Sequence, residues 1–426
     1  MSKLIQPVRG MNDILPEDEP LWEMLETEAA GLFKSYGYRR IRIPVIERTE
    51  LFSRSIGELT DIVEKEMYTF TDRNGDSVTL RPEATAGVVR ASLSNGLIHN
   101  QQQKLWCSGP MFRREKPQQG RYRQFHQLSV EALGYSEPEV DAELIVLSAR
   151  LWRELSVQSL TLEINSLGTP ESRADYKTAL VEYFSQHRTD LDGDSARRLE
   201  RNPMRILDSK NPAMRELIDH APELQDYLDV ESREHFERVK TLLSDVDVSF
   251  TVNPRLVRGL DYYTHTVFEW VTSRLGAQGA VCSGGRYDGL VAQLGGRDTP
   301  GVGWALGVER VIDLIRADGW ESVQTGPDIF LVCVGDAPRR KSFATAERLR
   351  EQIPRLKLSI GAPSAGFKAQ MRRADKSGAR YALILGEDEL AADRLSLKAL
   401  REEEAQQLLT FEELIRLFEP SGSSEG

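Results

Sequence analysis

The sequence predicts an α+β fold: an antiparallel sheet flanked by helices, a helical insertion within it, and a C-terminal α/β domain. Three observations point there. Residues 111–134, MFRREKPQQGRYRQFHQLSVEALG, read as two strands joined by a charged loop that contains Gly120. Residues 168–246 turn charged and helical in pattern, punctuated by Asn202-Pro203, Asn211-Pro212 and Ala221-Pro222. Beyond Thr325-Gly326-Pro327, strand-like and helix-like segments alternate around a core of their own. The expected layout is one domain over 1–325 that contains the insertion 168–246, a second over 326–420, and a disordered tail over 421–426.

Each element has a local reason. Residues 18–36 carry Leu21, Leu25, Leu32 and Phe33 at helical spacing behind Pro16. Residues 40–47, RIRIPVIE, alternate like a strand, but Pro44 has no ladder donor, so the segment belongs at an edge or a subunit boundary. Asn74-Gly75 in the middle of 68–80 predicts a hairpin. A helix over 84–95 is entered through Arg81-Pro82-Glu83. Residues 104–113 and 124–133 are the paired strands. After the insertion, strands are expected at 248–252, 267–271 and 280–283, separated by glycine-rich loops. Residues 301–315, GVGWALGVERVIDLI, read as a strand running into a helix. The C-terminal domain reads strand 329–334, helix 339–352, strand 357–360, helix 368–376, strand 381–385, then a further strand and helix. No internal repeat is present.

At 426 residues the chain exceeds one ordinary core. Apolar residues at 40% and charged residues at 28% fit a soluble globular class. No apolar run is long enough to span a bilayer. The N-terminus has no apolar segment ahead of a small-residue cleavage site, so a cytoplasmic protein is expected. Cys107, Cys282 and Cys333 are odd in number and far apart. They fit neither a disulfide framework nor a zinc spacing and read as buried thiols. A net charge of −11 argues against indiscriminate nucleic-acid binding but leaves room for a local basic face. Residues 338–380 hold 12 basic and 3 acidic side chains, a local excess of +9 in a C-terminal segment that is neutral as a whole. Such a run forms either a solvated helix face or a phosphate-facing surface.

The chemistry concentrates in a few runs. In the strand over 125–133, a period of two puts Gln127, Ser129 and Glu131 on one face and His126, Leu128, Val130 and Ala132 on the other. That polar row is either the wet face of a sheet or the floor of a pocket for a cationic or hydrogen-bonding ligand. Arg113 and Arg121 flank the charged loop, and guanidinium forks match phosphate oxygens. Phe125 offers a flat platform for a base. Glu83 and Thr85 present oxygens at a helix start, where an N-cap would also place them. In 256–269, LVRGLDYYTHTVFE, Arg258 precedes Gly259, and Tyr262 and Tyr263 would point to opposite sides if they lay on a strand. Residues 283–289, SGGRYDG, supply backbone able to approach a ligand closely, or a plain turn. Arg310 falls at a helix N-terminus, where an anion would meet both the guanidinium and the helix dipole. No P-loop, Rossmann glycine fingerprint, HExxH or G-x-S-x-G elbow occurs. Any ATP is then held by arginines on an antiparallel sheet.

Taken in order, these runs resemble the bacterial-type histidyl-tRNA synthetases, a family of class II aminoacyl-tRNA synthetases. IRIPVIE resembles class motif 1, FRREKPQQGRYRQF motif 2 and GVGWALGVER motif 3. RPEAT, LVRGLDYY and SGGRYDGL resemble segments special to the histidine enzymes. The resemblance covers nearly the whole chain and makes 326–420 similar to an anticodon-binding domain. It implies a class II catalytic domain, histidine activation by ATP, and transfer to the 3′-terminal ribose of the histidine tRNA. By resemblance, Glu83, Thr85 and Gln127 hold the substrate amino group, and Glu131 and Tyr263 read the imidazole. Arg258 and Tyr262 complete the histidine-binding set. Arg113, Glu115, Arg121, Phe125 and Arg310 form the ATP set, with Phe125 and Arg310 on either side of the adenine. Arg258 and Arg113 are the expected catalytic residues. Lys116 and Gln118 at the loop tip, and Arg339, Arg340, Arg372 and Arg373 in the basic stretch, are the expected tRNA contacts. The insertion is expected near the acceptor stem. Magnesium arrives with ATP, no protein metal site or prosthetic group is expected, and the family implies a homodimer.

Three other readings stand beside this one. The first is the synthetase-like regulatory subunit of the histidine-biosynthesis phosphoribosyltransferase, which typically lacks the C-terminal domain that this chain has. The second is a class II synthetase for another amino acid, against which LVRGLDYY and SGGRYDGL speak. The third is a non-catalytic RNA-binding protein, which leaves the arginines unexplained.

Overall fold

The computed structural model describes residues 4–57, 60, 62–117, 120–207, 209, 211–275, 279–320, 326–362 and 364–418. The chain divides into two compact units, Met1–Glu321 and Ser322–Gly426. Among the described residues no helix is long and apolar enough to cross a membrane.

The larger unit is built on eight strands: β1 (Arg39–Arg40), β5 (Gln103–Phe112), β6 (Gln124–Leu133), β7 (Thr161–Ser166), β8 (Thr251–Val252), β9 (Thr264–Val271), β10 (Ala280–Arg286) and β11 (Gly301–Gly307). Their order is β1-β5-β6-β11-β10-β9-β7-β8. The six central strands are antiparallel, while the edge pairs β1/β5 and β7/β8 are parallel. A second, three-stranded sheet joins β2 (Ile46–Arg48), β3 (Tyr68–Thr71) and β4 (Ser77–Leu80). The β3–β4 hairpin turns at Gly75, with Asp72 Oδ1 accepting from the Asn74 and Asp76 amides at 2.8 and 3.0 Å.

Period two decides which face of the sheet is dry. Leu128, Val130 and Ala132 of β6 and Val302, Trp304 and Leu306 of β11 are buried in one core. Helices α1 (Glu19–Ser35), α4 (Pro138–Glu154) and α10 (Val308–Ala317) cover it. Helix α1 brings Leu21, Leu25, Leu32 and Phe33 to that core, and Pro20 sits in its first turn. The opposite face carries Gln127, Ser129 and Glu131, with α3 (Thr85–Ser94) entering beside it.

Two strand expectations need correction. Residues 40–47 do not form one strand: β1 pairs with β5 in the large sheet, β2 pairs with β4 in the small one, and the chain crosses between them. The buried Arg81 guanidinium satisfies that crossing, donating to the Ile43 carbonyl at 2.9 Å and the Pro110 carbonyl at 2.8 Å. The strand expected over 248–252 shrinks to β8, because Val248 bonds back to Leu243 at the end of a helix.

The insertion is helical, with α5 (Pro170–Gln186), α6 (Gly193–Arg201), α7 (Arg215–Asp219), α8 (Val230–Asp245) and short 3₁₀ turns. Asp229 caps α8 by accepting from the Ser232 amide at 2.7 Å. It also accepts the Ser172 and Thr169 hydroxyls at 2.8 and 3.1 Å, so the start of α5 shares the same carboxylate.

The smaller unit has the strand order β13-β12-β14-β15-β16, with β12 (Ile329–Cys333), β13 (Leu358–Ile360), β14 (Tyr381–Leu385), β15 (Leu395–Ala399) and β16 (Gln407–Leu409). The first three are parallel, with β12 fully buried, β14 largely buried and the edge strand β13 buried at Leu358, and β15 and β16 continue the sheet antiparallel. Helices α11 (Asp336–Gln352) and α12 (Phe367–Lys376) make the crossovers, and α14 (Phe411–Phe418) closes the core through Leu414. The sequence had suggested one strand and one helix after 385, where the unit has two of each.

Candidate active site

The row on β6 is the floor of the site. Glu131 is fully buried and its carboxylate accepts from three hydroxyls. Oε1 accepts from Thr85 at 2.7 Å and Ser129 at 2.6 Å, and Oε2 accepts from Tyr287. Burial pushes this carboxyl up to about 7. Gly303 lies directly across from Glu131 in the β6–β11 register, and a Cβ there would overlap the carboxylate. Two positions along the row, Gln127 Oε1 is buried with no partner.

Glu83 caps α3, accepting from the Thr85 and Ala86 amides at 2.7 and 2.9 Å. Burial raises its carboxyl above the ordinary range. The Thr85 hydroxyl spends its proton on Glu131, which leaves its lone pairs able to accept from a ligand.

Tyr262 and Tyr263 do not lie on a strand, so the expectation that they face opposite ways is corrected. They sit in the loop before β9, both buried, with ring centroids 4.7 Å apart. Tyr287 meets Tyr262 edge-on at 5.7 Å. Burial raises all three phenols, which stay protonated donors.

Arginines line the other side. Arg258 pairs with Glu269, lies 5.3 Å from the Tyr263 ring centre, and has its Nε buried without a partner. Burial opposes the Arg258 charge, yet Glu269 beside it holds the guanidinium above its ordinary value. Arg258, Arg310, Arg121 and Glu269 share a cavity of about 490 Å³. Arg310, in the first turn of α10, donates to the carbonyls of Gly120 and Ala280. Burial, then repulsion from Arg121, lowers its proton affinity, and Arg113 adds to that repulsion. Arg121 pairs with Glu115 at 2.6 Å. Arg113 donates to the Pro82 carbonyl at 2.8 Å and stacks 5.3 Å from the Phe125 ring centre. Phe125 faces Arg113, and Arg310 holds the charged loop at Gly120.

Residues 10–311 match the family model for histidyl-tRNA synthetase, and residues 328–419 match the anticodon binding domain. The chain belongs to the histidyl-tRNA synthetase family. A histidine–tRNA ligase of Halorhodospira halophila is 56% identical over 414 residues, 97% of each chain. One from Hydrogenovibrio crunogenus is 53% identical over 417 residues, 98% of each. The crystal structure of apo Staphylococcus aureus histidyl-tRNA synthetase superposes with a TM-score of 0.82 at 36% identity, covering 97% of this chain and 100% of that one.

In this synthetase fold, the expected tRNA contacts fall in two places. Lys116 is exposed on the loop between β5 and β6, and Gln118 lies outside the described residues. Arg340, Arg372 and Arg373 are exposed on α11 and α12, and Arg339 is half-buried 3.8 Å from Asp336. Three contributors were missed. Glu269 ends the LVRGLDYYTHTVFE run, and Tyr287 lies inside SGGRYDG, so both were in view without a role. The signal for Gly303 was its alternation with core residues in GVGWALG.

Proposed function

We propose that the site activates L-histidine with ATP and then transfers it to the 3′-terminal ribose of the histidine tRNA. The observation that carries this is the gathering of Arg258, Arg310, Arg121 and Arg255 around one cavity whose acidic lining is Glu163 and Glu269, with Glu115 paired to Arg121. A concentration of fixed cations is what two mutually repelling anions, a carboxylate and a triphosphate, require.

In the first step a histidine carboxylate oxygen bonds to the α-phosphorus while the bond to the β-phosphate oxygen breaks and pyrophosphate leaves. Charge grows on the α-phosphoryl oxygens. Arg258 and Arg113 are the residues proposed to meet it, both already fixed by protein contacts. In the second step the ribose hydroxyl attacks the acyl carbon and AMP leaves. Glu83, Thr85 and the free Gln127 oxygen offer acceptors for the substrate ammonium, and Glu131 with Tyr262 and Tyr263 reads the imidazole. An aliphatic competitor would make none of the imidazole's hydrogen bonds to these groups, which discriminates by roughly 10⁴ without editing.

Arg121, Arg310, Glu115 and Phe125 are assigned to the nucleotide, with Phe125 and Arg310 flanking the adenine. Among the described residues no three His, Cys, Asp or Glu side chains converge as a cation site. Magnesium is assigned to the ATP phosphates, with which it arrives. The domain over 326–420, through Arg339, Arg340, Arg372 and Arg373, is proposed to hold the anticodon region, with Lys116 and Gln118 at the acceptor end. A cytoplasmic homodimer completes the reading. Exposed Ile46 and Phe70 on the small sheet, near Pro44, support that face as the subunit boundary.

The test is exchange of labelled pyrophosphate into ATP with each of the twenty amino acids and no tRNA. Exchange with histidine alone is expected. No exchange by folded protein that still binds histidine would overturn activation and favour the regulatory paralogue.

A further inference from the structure

The loop 257–263 carries Arg258, Tyr262 and Tyr263, yet it has no regular secondary structure to hold it. Its backbone must be satisfied from outside. Outside the insertion, the Asp261 amide donates to the carbonyl of Ile56 at a helix end at 3.1 Å, and Asn165 Nδ2 of β7 donates to the Leu256 carbonyl at 3.1 Å. The other anchors come from the insertion. Arg173 of α5 donates to the Tyr263 carbonyl, and Arg205 of the 3₁₀ turn Pro203–Ile206 after α6 donates to the Gly259 carbonyl. Asn202 Nδ2 reaches Asp261 at 3.5 Å. These groups border a cavity of about 260 Å³ between the insertion and the loop, which Arg258 also lines.

Two features make this more than incidental packing. The two guanidinium groups grip carbonyls on either side of the tyrosine pair, at 259 and 263, so the segment between them is held at both ends. Each bond joins a charged donor to a backbone acceptor, a class stronger than a neutral pair. The insertion is thereby tied to the loop that carries Arg258, Tyr262 and Tyr263.

We infer that the insertion is a clamp on the substrate loop, with Arg173 and Arg205 as positioning residues for Arg258 and Tyr263. Neither arginine touches substrate. Each fixes a backbone point from which a site side chain projects, and a displacement of even 1 Å at such a point degrades positioning. Whatever moves the insertion also moves Arg258. The inference rests on the histidine-activation reading for its kinetic test and is independent of it for its exchange test.

The experiment uses the full chain carrying R173M or R205M, with R173K as the variant that keeps a donor. Losing one charged hydrogen bond is expected to raise the KM for histidine in pyrophosphate exchange ~10-fold, with the KM for ATP moving far less and R173K recovering part of the loss. Amide hydrogen exchange over 257–263 should quicken in both methionine variants. In the wild-type chain those amides should open together with α5, as one cooperative unit. That last measurement needs no variant and no activity. Unchanged histidine KM with unchanged loop exchange would overturn the clamp, as would equal rises in both KM values. A wild-type chain that is inactive but shows the joint opening would sink the activation reading and leave the clamp standing.

Discussion

Arg258 and Glu269 face each other as an ion pair across the mouth of the site, and the Arg258 Nε points at no partner. The pair keeps a buried guanidinium compensated while no substrate is present. An incoming substrate anion competes with Glu269 for the same fork, and Nε is the donor left free to meet it.

Arg258→Ala is therefore expected to cut adenylate formation by about 10²–10³-fold. Histidine binding should weaken much less, because Glu83, Thr85, Gln127 and Glu131 stay in place. Single-turnover adenylate assays set beside equilibrium histidine binding would decide it. Equal losses in both would remove the assigned role.

The Glu131 carboxyl sits at about 7 in the fold against an ordinary 4.5. Between those values the unfolded chain gives up a proton that the folded chain keeps, so this group's contribution to stability falls as pH rises. Below that window both states are protonated and the penalty is absent. Above it the penalty is constant, at an upper bound of roughly 3 kcal/mol. Urea unfolding of wild type and Glu131→Gln across the window should diverge, with the glutamine variant gaining relative stability toward neutral pH. Parallel curves would mean that Glu131 is not held in its protonated form.

Gly303→Ala puts a methyl group where the Glu131 carboxylate lies. The Val130 carbonyl closes the space behind it, so relief requires Glu131 to swing away from Thr85, Ser129 and Tyr287. The expected cost is about 1–3 kcal/mol of stability together with loss of histidine-dependent exchange. Thermal unfolding and the exchange assay check both. A variant with normal histidine KM would show that Glu131 does not read the substrate.

The double variant R372Q/R373Q tests the basic face of α12. Two lost phosphate contacts on single-stranded RNA should flatten the slope of log K against log salt by about 1.4. Filter binding of the histidine tRNA across a salt series reads it directly. An unchanged slope would place the tRNA backbone elsewhere.

What the sequence revealed of this site follows from where the side chains sit. Gln127, Ser129 and Glu131 were legible as a row because a strand has a fixed period, and β6 keeps it over ten residues. The split of 40–47 was not legible. Alternation is the same whether a segment pairs with one sheet or two, and only Arg81, far along the chain, shows where the crossing is satisfied. Tyr262 and Tyr263 escaped for a related reason: in a loop no periodicity assigns a direction. Arg173 and Arg205 act through single long-range contacts, and nothing in their own neighbourhoods announces a partner. The arginines of the charged loop and of α10 were visible because they cluster in the sequence as well as in space.

The bare side of β11 also sets what this site could be remodelled to accept. Val302, Trp304 and Leu306 fill the core face, while Gly301 lies against the Tyr287 ring and Gly303 against Glu131. On the pocket side that strand keeps one side-chain atom, the Ala305 methyl paired across from Ser129. A variant meant to charge a bulkier imidazole analogue gains at most that methyl by trimming β11. Space has to come from the tyrosines at 262, 263 and 287, and each of those cuts also removes a hydroxyl from the pocket. Widening and selectivity therefore trade against each other in this architecture.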